Sequence, residues 1–109
     1  MTWARRSKFG NHPTEADGYR FDSKKEERRY QELKLLEKAG VITNLVADKK
    51  KLRWKLEVNG VKICEYEADF SYFEDGKPVI EDAKGFRTPE YKIKKRLMLA
   101  CWSTEIRET

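Results

Sequence analysis

The stretch ADFSYFEDGKPVIEDAKG, residues 68–85, has two runs of strand character around Asp75-Gly76, and it carries Asp69, Glu81, Asp82 and Lys84. Asp-Gly between such runs predicts a hairpin, because both central residues of a two-residue type I′ turn take positive φ, which Asp and Gly tolerate. A two-residue or four-residue loop centred there sets Asp69 opposite Asp82 and Glu67 opposite Lys84, all on one face. Ser71 and Ile80 pair beside them, and Phe70, Tyr72, Val79 and Ala83 form the opposite face. A three-residue loop instead sets Glu81 opposite Asp69 and turns Asp82 and Lys84 away. Periodicity leaves both loops open.

In the first register two carboxylates repel across a strand pair, and a cation between them relieves the repulsion. Oxygen donors without Cys or His suit Mg2+ or Mn2+. A lysine beside such an ion stabilises charge on an attacking water or on a scissile phosphate. The plainer arrangement pairs Lys84 with Glu67 and leaves both aspartates facing water.

Upstream, Leu52, Trp54, Leu56 and Val58 alternate with Arg53, Lys55 and Glu57, and Asn59-Gly60 follows as a second hairpin signal. The returning strand VKICEYEADFSYF and then KPVIEDAK complete a predicted antiparallel meander of three strands, with VITNLV a candidate short strand before it. SKKEERRYQELKLLEKAG reads as a helix with Ser23 as N-cap, Glu26 three residues on and Gly40 at its stop. Glu26, Tyr30 and Leu33 fall within about 60° of one another on the core side, with Leu36. A capping box explains a glutamate at this position, but not why it should lie on the core-facing stripe.

TPEYKIKKRLMLACW reads as a second helix, with Thr88 as N-cap, Pro89 in the first turn and Ile93, Leu97 and Cys101 toward the core. TEIRE is a last short strand, and the helix before it acts as a crossover that lets it lie parallel to a neighbour. Residues 1–22, with Gly10, Pro13 and Gly18, read as an irregular basic arm, and 23–109 as one small α/β domain.

At 109 residues there is room for one core, and 39% charged beside 39% hydrophobic residues describes a globular chain with a wet surface. The net charge of +5 favours an acidic partner, nucleic acid first. Cys64 and Cys101 stand far apart in sequence and His12 is the one histidine, so neither a zinc site nor a disulfide framework is expected. A reduced, cytoplasmic setting with no membrane span follows from the two thiols and from the lack of a long apolar run.

Together, FDSKKEERRYQELKLLEKAG, ADFSYFEDG, VIEDAKGFRTPEYKIKKRLM and the closing EIRE resemble a family of small phage and prophage proteins of the PD-(D/E)xK, restriction-endonuclease-like nuclease superfamily. The likeness runs from about Lys8 onward, and its specificity lies in separate segments matching in order. It implies an α-β-β-β-α-β core with a mixed sheet flanked by two helices. It also implies that Glu26, Asp69 and Asp82 hold one or two divalent ions (Mg2+ or Mn2+), that Ala83 lends its carbonyl, and that Lys84 is catalytic. The resemblance selects the register that pairs Asp69 with Asp82 and makes Glu81 a flanking residue. Around Asp48 and Lys49 the chain reads ADKKKL where relatives often carry a Gln-Pro-like segment.

Arg87, Thr88, Lys92, Lys95 and Arg96 are the expected DNA contacts, at and after a helix N-terminus. A solvated helix face accounts for scattered lysines equally well. Arg5, Arg6 and Lys8 form a second basic group, and Lys49, Lys50 and Lys51 a third. The functional expectation is a divalent-metal-dependent DNA endonuclease of a phage or prophage in a bacterial host, acting as a homodimer, with branched DNA as the first-choice substrate. The rival is a non-catalytic nucleic-acid-binding accessory protein that keeps the fold.

Overall fold

The computed structural model describes residues 14–83 and 87–109. Lys84 and the basic group Arg5, Arg6 and Lys8 lie outside the described residues.

The chain forms β1 (Thr14–Ala16), β2 (Tyr19–Phe21), α1 (Lys24–Lys38), β3 (Ile42–Val46), a 3-10 turn at Lys49–Lys51, β4 (Arg53–Val58), β5 (Val61–Glu67), β6 (Phe70–Glu74), β7 (Lys77–Asp82), α2 (Pro89–Trp102) and β8 (Ile106–Glu108). One four-stranded sheet runs β3-β6-β7-β8, and two hairpins, β1-β2 and β4-β5, stand apart from it. Within that sheet the first three strands are antiparallel, and β8 lies parallel to β7, with Ile80 level with Ile106 and Asp82 with Glu108. The crossover expected of the second helix is present.

Asp75 (φ 53) and Gly76 (φ 75) are both left-handed, as a two-residue turn requires. The register is accordingly Glu74 with Lys77 through Phe70 with Glu81. The ladder ends there: the Asp69 N–H turns to Glu81 O (3.2 Å), and the Asp69 carboxylate accepts the Ala83 N–H (2.8 Å). The three-residue alternative is excluded.

The meander of three strands is corrected. The long returning segment breaks after Glu67, because consecutive backbone donors turn to different strands: Ala68 N–H donates to Leu52 O (2.9 Å) and Asp69 N–H to Glu81 O (3.2 Å). The chain thereby leaves the β4-β5 hairpin and enters the main sheet within two residues. VITNLV, not LRWKLEV, supplies the first strand of that sheet, and the helices and strands of the four-stranded unit follow the order α1, β3, β6, β7, α2, β8.

The sheet separates two apolar clusters. Phe21, Tyr30, Leu33, Ile42, Phe70 and Tyr72 fill the α1 side, and Leu52, Leu56, Tyr66, Tyr91, Met98 and Ile106 fill the side covered by α2 and the β4-β5 hairpin. Each fully buried side chain of this size contributes roughly 1.5–3 kcal/mol.

The irregular arm is corrected as well. Residues 14–21 form a hairpin turned by Asp17 (φ 54) and Gly18 (φ 82), the same chemistry as the later turns but with strands too short to show a period. Phe21 is buried, with its ring 5.1 Å from that of Tyr30, so part of the segment read as an arm completes the core.

The core face of α2 also differs. Tyr91 and Met98 are buried and Ile93 is exposed, with Leu97 and Cys101 intermediate. Tyr91 and Ile93 lie about 200° apart on a helix, so a helix buries one of them. Tyr91 is the one that finds Tyr66, at 6.5 Å, and donates to Glu108 (2.8 Å).

Candidate active site

Asp82 ends β7 with no solvent exposure, and its Oδ2 accepts the Tyr66 hydroxyl at 2.5 Å. Burial first, then the Asp82 charge, pushes the Tyr66 phenol far above its usual value, so it stays a donor. Asp69 sits at the break between β5 and β6, 7% exposed, and its Oδ2 accepts the Ala83 N–H at 2.8 Å. The two aspartates are therefore tied to the same strand end, one by position and the other by a hydrogen bond.

Glu26 comes from the first turn of α1. Ser23 Oγ accepts the Glu26 N–H (3.2 Å), as the capping signal predicts, but the Glu26 carboxylate turns inward and is 4% exposed. There it meets Lys49. The Lys49 Nζ lies 2.7 Å from Glu26 Oε1, 2.9 Å from Asp22 Oδ2 and 3.6 Å from Asp69 Oδ1.

Burial, and then the neighbouring Asp69 charge, pushes the Glu26 carboxyl up to about 7, with Lys49 pulling the other way. For Lys49 burial works against its proton, but Glu26 and Asp22 outweigh it and hold the amine well above the usual lysine value. The ammonium is thus charged throughout the neutral range.

The raised Glu26 value has a consequence for stability. Its carboxyl loses its proton near 4.5 when unfolded and near 7 when folded, so between those values the native state binds more protons and stability falls as pH rises. The total is on the order of 3 kcal/mol. Melting of the wild type at pH 5 and pH 8 should show this decline, and Glu26→Gln should flatten it; an unchanged slope in the variant would place the titration elsewhere.

The donor set of Glu26, Asp69 and Asp82 is all oxygen, which fits Mg2+ or Mn2+ chemistry. Among the described residues no three Asp, Glu, His or Cys side chains are grouped so as to hold a metal ion. The ammonium of Lys49 stands between Glu26 and Asp69 instead. Glu67, offered by the sequence as a partner for Lys84, pairs with Arg53 at 2.9 Å.

Four of the five expected DNA contacts, Arg87, Lys92, Lys95 and Arg96, line one groove of about 460 Å3 between α2 and β8. Glu108 lies in the same groove and holds Arg87 (2.9 Å) and Lys95 (3.3 Å). Thr88 caps α2, its Oγ1 accepting the Tyr91 N–H at 3.1 Å. Because Glu108 is level with Asp82 in the β7-β8 pairing, this groove adjoins the strand end that carries the acids.

A family model described as "Protein of unknown function (DUF1064)" matches residues 6–108. The chain belongs to this family. No curated protein and no solved structure matches it significantly. The DUF1064 match spans every residue of the acid cluster and of the basic groove.

Two features of this DUF1064 member were missed by sequence reasoning. Lys49 reads as one of three exposed lysines, yet its side chain is 17% exposed while Lys50 and Lys51 face solvent. The signal lies in the turn itself, since three successive residues of a 3-10 helix point in three directions and one must face inward. Glu81 reads as a flanking residue, yet it has no solvent exposure. On the α1 side its carboxylate accepts two hydrogen bonds from Arg29 (2.7 and 3.0 Å), one from Tyr72 (2.6 Å) and one from Thr109 (3.0 Å). It locks β7 to α1 on one face while Asp82 faces the other.

Among the described residues no helix is long and apolar enough to cross a membrane.

Proposed function

We propose that the chain is a divalent-cation-dependent DNA endonuclease of the PD-(D/E)xK type, working in the cytoplasm of a bacterial host on phage or prophage DNA. The observation that carries this reading is the seat of Asp69 and Asp82 at one strand end, with Glu26 of α1 held to Asp69 through the Lys49 ammonium. The order α1, β3, β6, β7, α2, β8 supports it, because that is the order of the superfamily core, with β4-β5 as an inserted hairpin.

In this reading Glu26, Asp69, Asp82 and the Ala83 carbonyl hold Mg2+ or Mn2+, which when bound supplies charge stabilisation at the phosphate and a more acidic water. Tyr66 orients Asp82 by donating to Oδ2. The Asp69 bond to the Ala83 N–H ties Asp69 to the residue whose carbonyl is the fourth donor. Lys84 stabilises the attacking hydroxide and the charge growing on phosphorus. A homodimer brings two such sites to two strands, and branched DNA is the substrate this arrangement suits.

The basic groove on α2 supplies phosphate contacts. Glu108 engages both Arg87 and Lys95 and offsets one of their two charges, so Lys92 and Arg96, which line the same groove, are the residues to test first. Lys92→Ala and Arg96→Ala should each weaken duplex binding and lower the slope of log affinity against log salt by about one, with melting unchanged. Equal salt slopes in wild type and both variants would remove this face from the interface.

The seat of Lys49 favours a second reading, a non-catalytic DNA-binding accessory protein, because an internal ammonium lets the Glu26–Asp69 pair stand without a cation. The two readings separate on a gel. Purified protein with Mg2+ or Mn2+ should cut linear, nicked or four-way-junction DNA and should be inert in chelator, and the accessory protein binds DNA identically with or without the ion and cuts none. Offering RNA alongside DNA settles which backbone is the substrate.

A further inference from the structure

We propose that Lys49 is a built-in counter-ion that a divalent cation must displace from between Glu26 and Asp69. The inference rests on the proposed metal-dependent reading, and it names the step by which the site is switched from a self-neutralised form to an ion-holding one.

Three carboxylates converge on the Lys49 ammonium, those of Glu26 (2.7 Å), Asp22 (2.9 Å) and Asp69 (3.6 Å). Two of them, Glu26 and Asp69, are among the proposed ion ligands. The ammonium makes its shortest contact with the buried Glu26 Oε1 and also donates to the exposed Asp22 Oδ2, so it is held from the inner and the outer side at once.

An ion that binds the same oxygens cannot share that place with the ammonium. Mg2+ sits about 2.0–2.1 Å from its oxygens. A cation within a few ångströms of the ammonium is strongly repelled by it, because both are positive and the site is partly shielded from water. Occupation is exclusive, so one must leave.

The lysine has somewhere to go. It lies on the wall of a groove of about 660 Å3 lined by Arg20, Lys50 and Arg53 and by the acids Asp22, Asp48 and Glu67, and the exposed Asp22 carboxylate holds its outer side. The released ammonium keeps Asp22 as its partner on that mixed wall and adds to the cations there that can meet a substrate phosphate, so ion entry and phosphate binding support each other.

The test reads binding and needs no DNA. Mn2+ titrations by electron paramagnetic resonance are made on wild type, Lys49→Gln and Lys49→Arg, with melting curves in chelator and in Mn2+. Lys49→Gln should bind Mn2+ about tenfold or more tightly than wild type, since no ammonium has to be displaced. It should also melt lower than wild type in chelator and gain more from Mn2+. Lys49→Arg, whose guanidinium holds carboxylates with two hydrogen bonds, should bind Mn2+ more weakly than wild type; it decides the matter if Lys49→Gln does not fold.

Equal or weaker Mn2+ binding by Lys49→Gln, or equal binding by Lys49→Arg and wild type, overturns the proposal. If the Lys49 effect is seen and no DNA is cut, displacement stands and the nuclease reading falls. If DNA is cut and Mn2+ affinity ignores Lys49, the nuclease stands and displacement falls.

Discussion

Glu81→Ala should lower the stability of the protein by about 3 kcal/mol, the lower end of what breaking a buried ion pair costs. The carboxylate is fully buried and accepts four hydrogen bonds, so its loss leaves Arg29 with only its exposed partner Glu32 (3.1 Å) and takes the acceptor from the Tyr72 and Thr109 hydroxyls. Arg29 retains 22% of its side-chain exposure, and that access to water keeps the loss from the upper end of the range. For a domain of this size the midpoint should fall by roughly 10–20 °C. Arg29→Met combined with Glu81→Leu should recover much of the loss, because removing both charges leaves neither unpaired. Additive losses in the double variant would show that the two residues act separately.

Asp82→Asn should reduce DNA cleavage by on the order of a thousandfold while leaving the fold and DNA affinity in place. The substitution keeps the shape of the side chain and its carbonyl acceptor for Tyr66, and removes the charge that would hold the cation. A melting curve of the variant read beside the cleavage assay checks that the fold is kept. A variant that loses activity together with DNA binding points to a disturbed fold. One that cleaves normally removes Asp82 from the chemistry.

How far the sequence alone carries is visible in particular residues. Asp75-Gly76 and Asn59-Gly60 marked turns because their chemistry is local, and Ser23 and Thr88 marked helix starts for the same reason. The pairing of β6 with β7, from Glu74 with Lys77 to Phe70 with Glu81, followed from one such turn once the register was chosen. The break at Ala68 was not legible, since which strand each N–H addresses depends on neighbours far away in sequence. Nor was the seat of Lys49, because three identical lysines in a row give no sign of which one turns inward. Glu81 was hidden for a related reason: its partners Arg29, Tyr72 and Thr109 come from three other segments, and nothing at Glu81 itself distinguishes a buried carboxylate from an exposed one.

The most direct test sets wild type beside Asp82→Asn on a four-way DNA junction under single-turnover conditions, with Mg2+ and with chelator. Wild type should cut in Mg2+ and remain inert in chelator, while Asp82→Asn binds the junction and leaves it whole. No cleavage by wild type in either Mg2+ or Mn2+, or equal cleavage by both proteins, would contradict the assignment of these acids to phosphodiester hydrolysis.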